Sequence, residues 1–277
     1  DDLISFIEKL LCCTASYITC SACNKNRCHD TLLTLPSVFK DYAVVPTIIF
    51  LNDCLLFSCM AEIIDRYKRL GVEIDSSALP GIRPALRTNT VKITADKLKA
   101  RLEARGVELE PVLGIDDAFY YTAPFSLSST IEYLKGFFYL QGIASMLPAQ
   151  VLMGNGSSCG SSVLDMCAAP GSKTTQLAQL SGDKLPVVAC DSDGRRLRAL
   201  EYNLERMGIS SVATFRKDAH FIDDLGLSFD RVLLDAPCSG NICSEPDFLK
   251  KRSVLDFKNR SRLQRSLLQA AYEVLVP

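Results

Sequence analysis

The chain has 277 residues, a formal net charge of -1 at pH 7 and an apolar fraction of 48%. Such a length suits about two domains of roughly 100 to 200 residues each, with room for a large core. The near-zero charge excludes a protein that engages nucleic acid through its overall field, so any such contact must come from a local basic patch.

Residues 1–59 differ in composition from the rest and hold seven of the twelve cysteines. The other five are scattered singly, as in a reduced, intracellular domain and unlike a secreted disulfide scaffold. Cys20 and Cys23 have C-x-x-C spacing near Cys12, Cys13, Cys28 and His29. A second well-spaced pair is missing, so no metal is assigned. The apolar stretch from Tyr42 to Met60 is broken by Pro46 and Asn52-Asp53, and lacks the about 20 clean residues of a spanning helix. It also lies too far from the start, without a basic flank, to be a signal peptide. The chain opens on Asp1 and stops after an apolar stretch at Pro277, which reads as a fragment. Met60 reads as the start of the working protein, and residues 1–59 as an extension without function.

Residues 60–123 read as a small α+β module. Ile63, Ile64, Tyr67 and Leu70 recur at helical spacing, and Gly71 closes the run. Arg87 to Ile93 alternates like a strand. Thr94 can cap a helix carrying Leu98 and Leu102 that Gly106 ends, before a second strand from Val107 to Leu113. Arg83, Arg87, Lys92, Lys97, Lys99, Arg101 and Arg105 make the module basic and are candidate phosphate contacts. Residues 124–162 form a linker and junction: an apolar helix through Tyr133 to Gln141, with Gln141 and Ser145 as its polar positions, then a turn-rich bridge.

From 163 to 277 strands and helices alternate. Strands are expected at 163–166, 187–191, 212–216 and 231–235, and helices at 172–180, 195–207 and 261–274. That order implies an α/β fold with a parallel, doubly wound, Rossmann-like sheet whose ligands lie outside the carboxyl ends of its strands. Val163 to Thr174 is a strand that runs into a Pro170-Gly171 turn and a helix, the layout of a nucleotide-type cofactor loop. A phosphate-binding P-loop fails on spacing, because Ser172 and Cys167 stand where it needs glycines. G-x-G-x-x-G is absent too. The cofactor is therefore read as a nucleoside without a phosphate chain, and S-adenosylmethionine fits.

Asp191 ends a strand about 20 residues after the glycine turn, where a carboxylate can accept hydrogen bonds from ribose hydroxyls. Asp218 is read as ending the next strand, where it can face an adenine amino group. Asp235 leaves the sheet together with Pro237-Cys238. On the residues alone, Cys238 is the nucleophile, with Asp235 and Lys173 as its catalytic neighbours.

The sequence Asp165-Met166-Cys167-Ala168-Ala169-Pro170-Gly171-Ser172-Lys173-Thr174, with Asp235-Ala236-Pro237-Cys238-Ser239-Gly240, resembles the RNA cytosine-5 methyltransferases of the Nop/Sun type. Arg87-Thr88-Asn89-Thr90 and the run from Tyr139 through Pro148 also resemble that family's RNA-binding module and its junction. The likeness implies a class I methyltransferase sheet and tRNA or rRNA as partner. It also implies a monomer away from membranes, in the cytoplasm or, in a eukaryote, the nucleus or nucleolus. By resemblance, Cys167, Ala168, Ala169, Pro170, Gly171, Ser172 and Lys173 line the methionine end of the cofactor, Asp191 holds the ribose with Arg196 nearby, Asp218 meets the adenine and Asp235 borders the reacting centre. It also reverses one role: the attacking cysteine lies in a later Thr-Cys motif, and the Pro-Cys thiol assists product release. No Thr-Cys pair follows Cys238, so the nucleophile is expected to be missing. Ser172 replaces a second glycine, Gly142 replaces an acidic residue, and 241–244 lacks the family's glycine and arginine. A DNA cytosine-5 methyltransferase and a non-catalytic RNA-binding protein on the same scaffold remain as alternatives.

Overall fold

The computed structural model describes residues 47–50, 82–154, 162–240 and 254–276. The readings placed on residues 12–29, 60–71 and 241–244 lie outside these. The chain divides into two compact units, and the one made of residues 46–53, 83–238 and 262–277 holds both sheets.

Strands β1 (Thr47–Phe50), β2 (Ala85–Thr88), β3 (Glu108–Pro111), β4 (Ala118–Thr122) and β5 (Phe138–Leu140) are joined by helix α1 (Ala95–Glu103) and the short α2 (Ile131–Leu134). Helix α3 (Ile143–Met153), strand β6 (Val163–Asp165), helix α4 (Ser172–Leu180), strand β7 (Val187–Asp191) and helix α5 (Gly194–Met207) follow. Then come strand β8 (Val212–Arg216), a 3-10 segment (Ala219–Leu225), strand β9 (Arg231–Leu234) and helix α6 (Val254–Glu273).

The first sheet is antiparallel, in the order β3-β4-β2-β5. Leu86, Leu98, Leu102, Val107, Phe119, Leu127 and Phe138 make its core. Thr94 caps α1 by accepting from the Lys97 N–H, as its sequence position requires. Two expectations change here. The strand is Ala85–Thr88, and Asn89 to Lys92 is a turn: the Asn89 carbonyl accepts from Lys92 N and its side chain accepts from Val91 N. Tyr133 to Gln141 is not one helix, because Gly136 turns the chain at φ +68° and Phe138–Leu140 pairs with β2. The module's sheet therefore reaches Leu140, beyond the expected end near Thr122.

The second sheet is wholly parallel, in the order β1-β9-β6-β7-β8. Alternate residues face opposite layers. Leu164, Met166, Cys190, Val232 and Leu234 pack with Leu267, Ala270 and Ala271 of α6. Val163, Val187 and Leu233 pack with α3 and α4, and Ala189 with α5. This covering of both faces is the doubly wound arrangement that the alternation of elements predicts. β1, from the region read as an extension, pairs with β9 from Thr47↔Arg231 to Phe50↔Leu234. Among the described residues, no helix is long and apolar enough to cross a membrane.

Candidate active site

β6 lies at the centre of the parallel sheet, with β7 and β8 on one side and β9 and β1 on the other. The chain winds outward in both directions from it, so the carboxyl ends of β6 and β9 flank the switch point where such sheets take ligands. The loop after β6 and the Pro-Cys turn after β9 leave the sheet there side by side, with Asp165 in register with Leu233.

Every carbonyl of the loop from Ala168 to Gly171 is held. Thr174 Oγ1 and Gly171 N donate to Ala168 O at 3.3 and 2.8 Å. Arg196 donates to Ala169 O. Asn203 and the Tyr139 hydroxyl donate to Pro170 O at 2.9 and 3.4 Å, and Thr175 Oγ1 donates to Gly171 O at 2.7 Å. Gly171 sits at φ +102°, and a Cβ there would lie 2.6 Å from Leu200 Cδ1. Glycine is thus required twice, for the left-handed turn and for the close helix. Ser172, at the position where the resemblance expects a glycine, opens α4 and is not among the positive-φ residues.

Asp191 ends β7 buried at 4% exposure. One carboxylate oxygen accepts from Ala169 N at 3.3 Å and pairs with Arg196 at 3.1 Å, and the other accepts from Asp193 N at 3.0 Å. Arg196 therefore braces the loop and the acid together. Asp218 lies two residues past β8 and caps the 3-10 segment, accepting from the His220 backbone N–H at 3.0 Å and facing the His220 ring at 2.8 Å.

Lys173 and Asp235 form an ion pair at 2.5 Å, which ties the start of α4 to the end of β9. Cys238 is exposed, and the Pro237 carbonyl in its turn accepts from buried Gln264 of α6 at 3.2 Å. Cys167 differs sharply. Burial, reinforced by the charges of Asp165, Asp191 and Asp235, pushes its thiol up to about 12, which keeps it neutral at any physiological pH.

One residue was passed over at the level of sequence, and another was given a different place. Asp165 is 1% exposed, and burial raises its carboxyl to about 7 against the opposing hydrogen bond from Thr174 Oγ1, which donates to Oδ2 at 2.8 Å. Its Oδ1 has no hydrogen-bond partner. A strand-terminal acid inside the motif was the signal for it. Arg87, expected as a phosphate contact, is 0% exposed and bonded only within the protein. Lys92 stays exposed, although its ammonium donates to the Lys135 and Arg206 carbonyls at 3.0 and 2.7 Å. A polar residue in a basic segment goes inward where buried acceptors are waiting for it, which composition cannot show.

The loop, the acid at the end of β7 and the paired termini of β6 and β9 belong to a sheet of the class I methyltransferase fold. The fit to S-adenosylmethionine, the cofactor this class implies, rests on the donor set at the strand ends, where the buried Asp191 acid faces the loop after β6 and a buried oxygen of Asp165 has no partner. Residues 156–277 match the family model for the 16S rRNA methyltransferase RsmB/F, and the chain belongs to that family. It is 37% identical to a ribosomal RNA small subunit methyltransferase F of Shewanella loihica over 203 residues, which are 71% of this chain and 42% of that protein. The protein of the same name from Vibrio cholerae is 36% identical over 223 residues, or 78% of this chain and 46% of its own length. The chain thus spans less than half the length of these curated relatives. Among solved structures, a methyltransferase homolog from Pyrococcus horikoshii superposes with a TM-score of 0.63 at 37% identity, covering 72% of this chain and 62% of that one. The NSun6 structure from the same organism superposes with a TM-score of 0.64 at 24% identity, over 71% of this chain and 73% of that one, and shows the shared fold.

Proposed function

We propose that this chain is the cofactor-binding core of an S-adenosylmethionine-dependent enzyme that methylates C5 of cytosine in ribosomal RNA. The observation that carries the reading is the Lys173–Asp235 ion pair, which joins the cofactor loop to the Pro-Cys turn at the switch point of the sheet. The choice of ribosomal RNA over tRNA comes from the names of the relatives.

Bound S-adenosylmethionine supplies an electrophilic methyl group. The residues from Cys167 to Lys173 hold its methionine end, Asp191 accepts hydrogen bonds from the ribose hydroxyls, and Asp218 faces the adenine. Arg196 keeps Asp191 and Ala169 in place. On the RNA, cytosine C5 is a poor nucleophile until a thiolate adds to C6. The Asp235 carboxylate, oriented by Lys173, accepts a hydrogen bond from protonated N3 and so favours that addition. Once C5, made nucleophilic by that addition, has taken the methyl group, a base removes the C5 proton and the thiol leaves. In this reading the attacking thiol belongs to the family's Thr-Cys motif, and Cys238, on its exposed turn, assists release.

Labelled cofactor and RNA containing 5-fluorocytosine test these roles, because fluorine blocks release and traps the covalent adduct. The chain is expected to bind both partners and to trap no adduct, whereas a version carrying the family's Thr-Cys segment traps one. An adduct formed by the present chain and abolished in Cys238→Ala would make Cys238 the nucleophile.

A further inference from the structure

Arg87 lies on β2 of the amino-terminal module, yet most of its hydrogen bonds end on α4. Nη2 donates to the Ser172 carbonyl at 3.3 Å and to Thr175 Oγ1 at 2.9 Å. Nη1 donates to Gln179 Oε1, and Nε donates to Gln141 Oε1 at 2.9 Å. Gln141 is itself fixed, since its amide donates to Gln176 Oε1 and to Ser145 O, each at 3.0 Å. Gln179 passes its own amide proton to Asp117. The inward face of α4, formed by Thr175, Gln176 and Gln179, is thus fully engaged by the module and the junction.

We propose that Arg87 is a positioning residue for the cofactor loop, setting the first turn of α4 and through it the Gly171 turn. This rests on the reading that the loop holds the cofactor.

The path is short and made of rigid parts. Thr175 Oγ1 accepts from Arg87 and has one proton to give, which goes to Gly171 O at 2.7 Å. Arg87 also holds Ser172 O directly. A peptide group is planar, so fixing the Gly171 and Ser172 carbonyls fixes the directions of the Ser172 and Lys173 N–H groups. Those N–H groups open α4 and point at whatever sits beyond its N-terminus. The same two carbonyls set where the Lys173 side chain departs toward Asp235. Only a planar fork of five donors reaches all of these acceptors from one buried point, which is why lysine cannot replace it. Asn89 gives a matched comparison. It sits two residues along and also joins the module to the larger domain, donating to Gly136 O at 2.8 Å and Met207 O at 2.7 Å. It touches nothing in the loop.

The experiment measures S-adenosylhomocysteine affinity by calorimetry, with hydrogen exchange at the amides of 171–173, for the full chain and for R87K, T175V, N89A and D191A. R87K and T175V should each bind about tenfold more weakly, roughly the loss of one hydrogen bond to a charged group. Their loop amides should exchange faster. The R87K/T175V double variant should be no weaker than either single change, because both break one path. N89A should lower the melting temperature and leave affinity within about twofold. Unchanged affinity in R87K and T175V, with D191A weakened, would overturn the positioning role. So would an N89A as weak as R87K, since docking of the module would then explain both. Unchanged affinity in D191A as well would show that the loop reading itself is wrong. Should R87K fail to fold, the near-isosteric T175V decides alone.

Discussion

Asp165 is where burial and charge conflict most directly. Its carboxyl titrates at about 7 in the fold against 3.8 in the unfolded chain, with burial as the main cause. Between those values the folded protein keeps a proton that the unfolded chain has released. Stability therefore falls as pH rises from about 4 to about 7, and this contribution is constant above that. Asp165→Asn keeps an acceptor for Thr174 and has nothing to ionise. Its melting temperature should exceed that of the parent at pH 8 and match it near pH 4, and an unaltered pH slope would show that Asp165 is not the group concerned. The thiols give a second expectation at this scale. Cys167 and Cys190 are pushed up to about 12, burial being the first cause in each, whereas Cys238 is exposed. Iodoacetamide should label Cys238 well before either of the other two in peptide maps taken at pH 8, because the thiolate is the reactive form.

Individual elements explain why part of the molecule could be read beforehand. The parallel strands β6 to β9 declare themselves because they are short runs that end in an acid or a turn, and α5 because Asp193 caps it and Gly208 closes it. By contrast β1, in the stretch read as an extension, joins the sheet unannounced. β5 does not declare itself. It is three residues long inside an aromatic-rich stretch, and only the turn at Gly136 separates it from α2. The candidate site was legible where it depends on strand ends: Gly171, Lys173, Asp191 and Asp235. It was not legible where it depends on partners distant in sequence, since Arg87 finds its acceptors 54 to 92 positions away. Glycine substitution tests these element-level constraints. A Cβ at Gly136 would lie 1.9 Å from the Arg206 carbonyl oxygen, at φ +68°. Neither backbone can retreat without parting β5 from α5. Gly106 has φ +80° but nothing within 4 Å of such a Cβ. Chemical denaturation should find Gly106→Ala costing about 1 kcal/mol and Gly136→Ala about 3 kcal/mol or more. Equal costs would mean that the β5–α5 approach is looser than described.

Over the whole molecule, a net charge of -1 leaves RNA affinity to whatever cations remain exposed once the protein has used its own. Most of the basic residues of the module have a partner within the protein, although only Arg87 is fully buried and Arg83, Lys92, Arg101 and Arg105 stay exposed. Arg87 and Lys92 hold the larger domain, Arg83 pairs with Glu110, and Arg101 and Arg105 both grip buried Glu132 at 2.9 Å. Lys97 on α1 is exposed, and its half-buried neighbour Lys99 is 3.8 Å from Glu103, a separation at which a surface pair holds its lysine only weakly. If α1 meets the RNA, these two lysines supply the phosphate contacts that can be exchanged for counterions. Lys97→Ala with Lys99→Ala should then weaken binding of a ribosomal RNA fragment. It should also reduce the slope of log affinity against log salt by about 1.4, at roughly 0.7 per phosphate contact with a single strand. Arg87→Lys should leave that slope unchanged, because a fully buried guanidinium releases no counterion. A filter-binding series from low to moderate salt separates the possibilities: an unchanged slope in the double variant would remove α1 from the RNA interface, and a reduced slope in Arg87→Lys would mean that β2 faces the RNA after all.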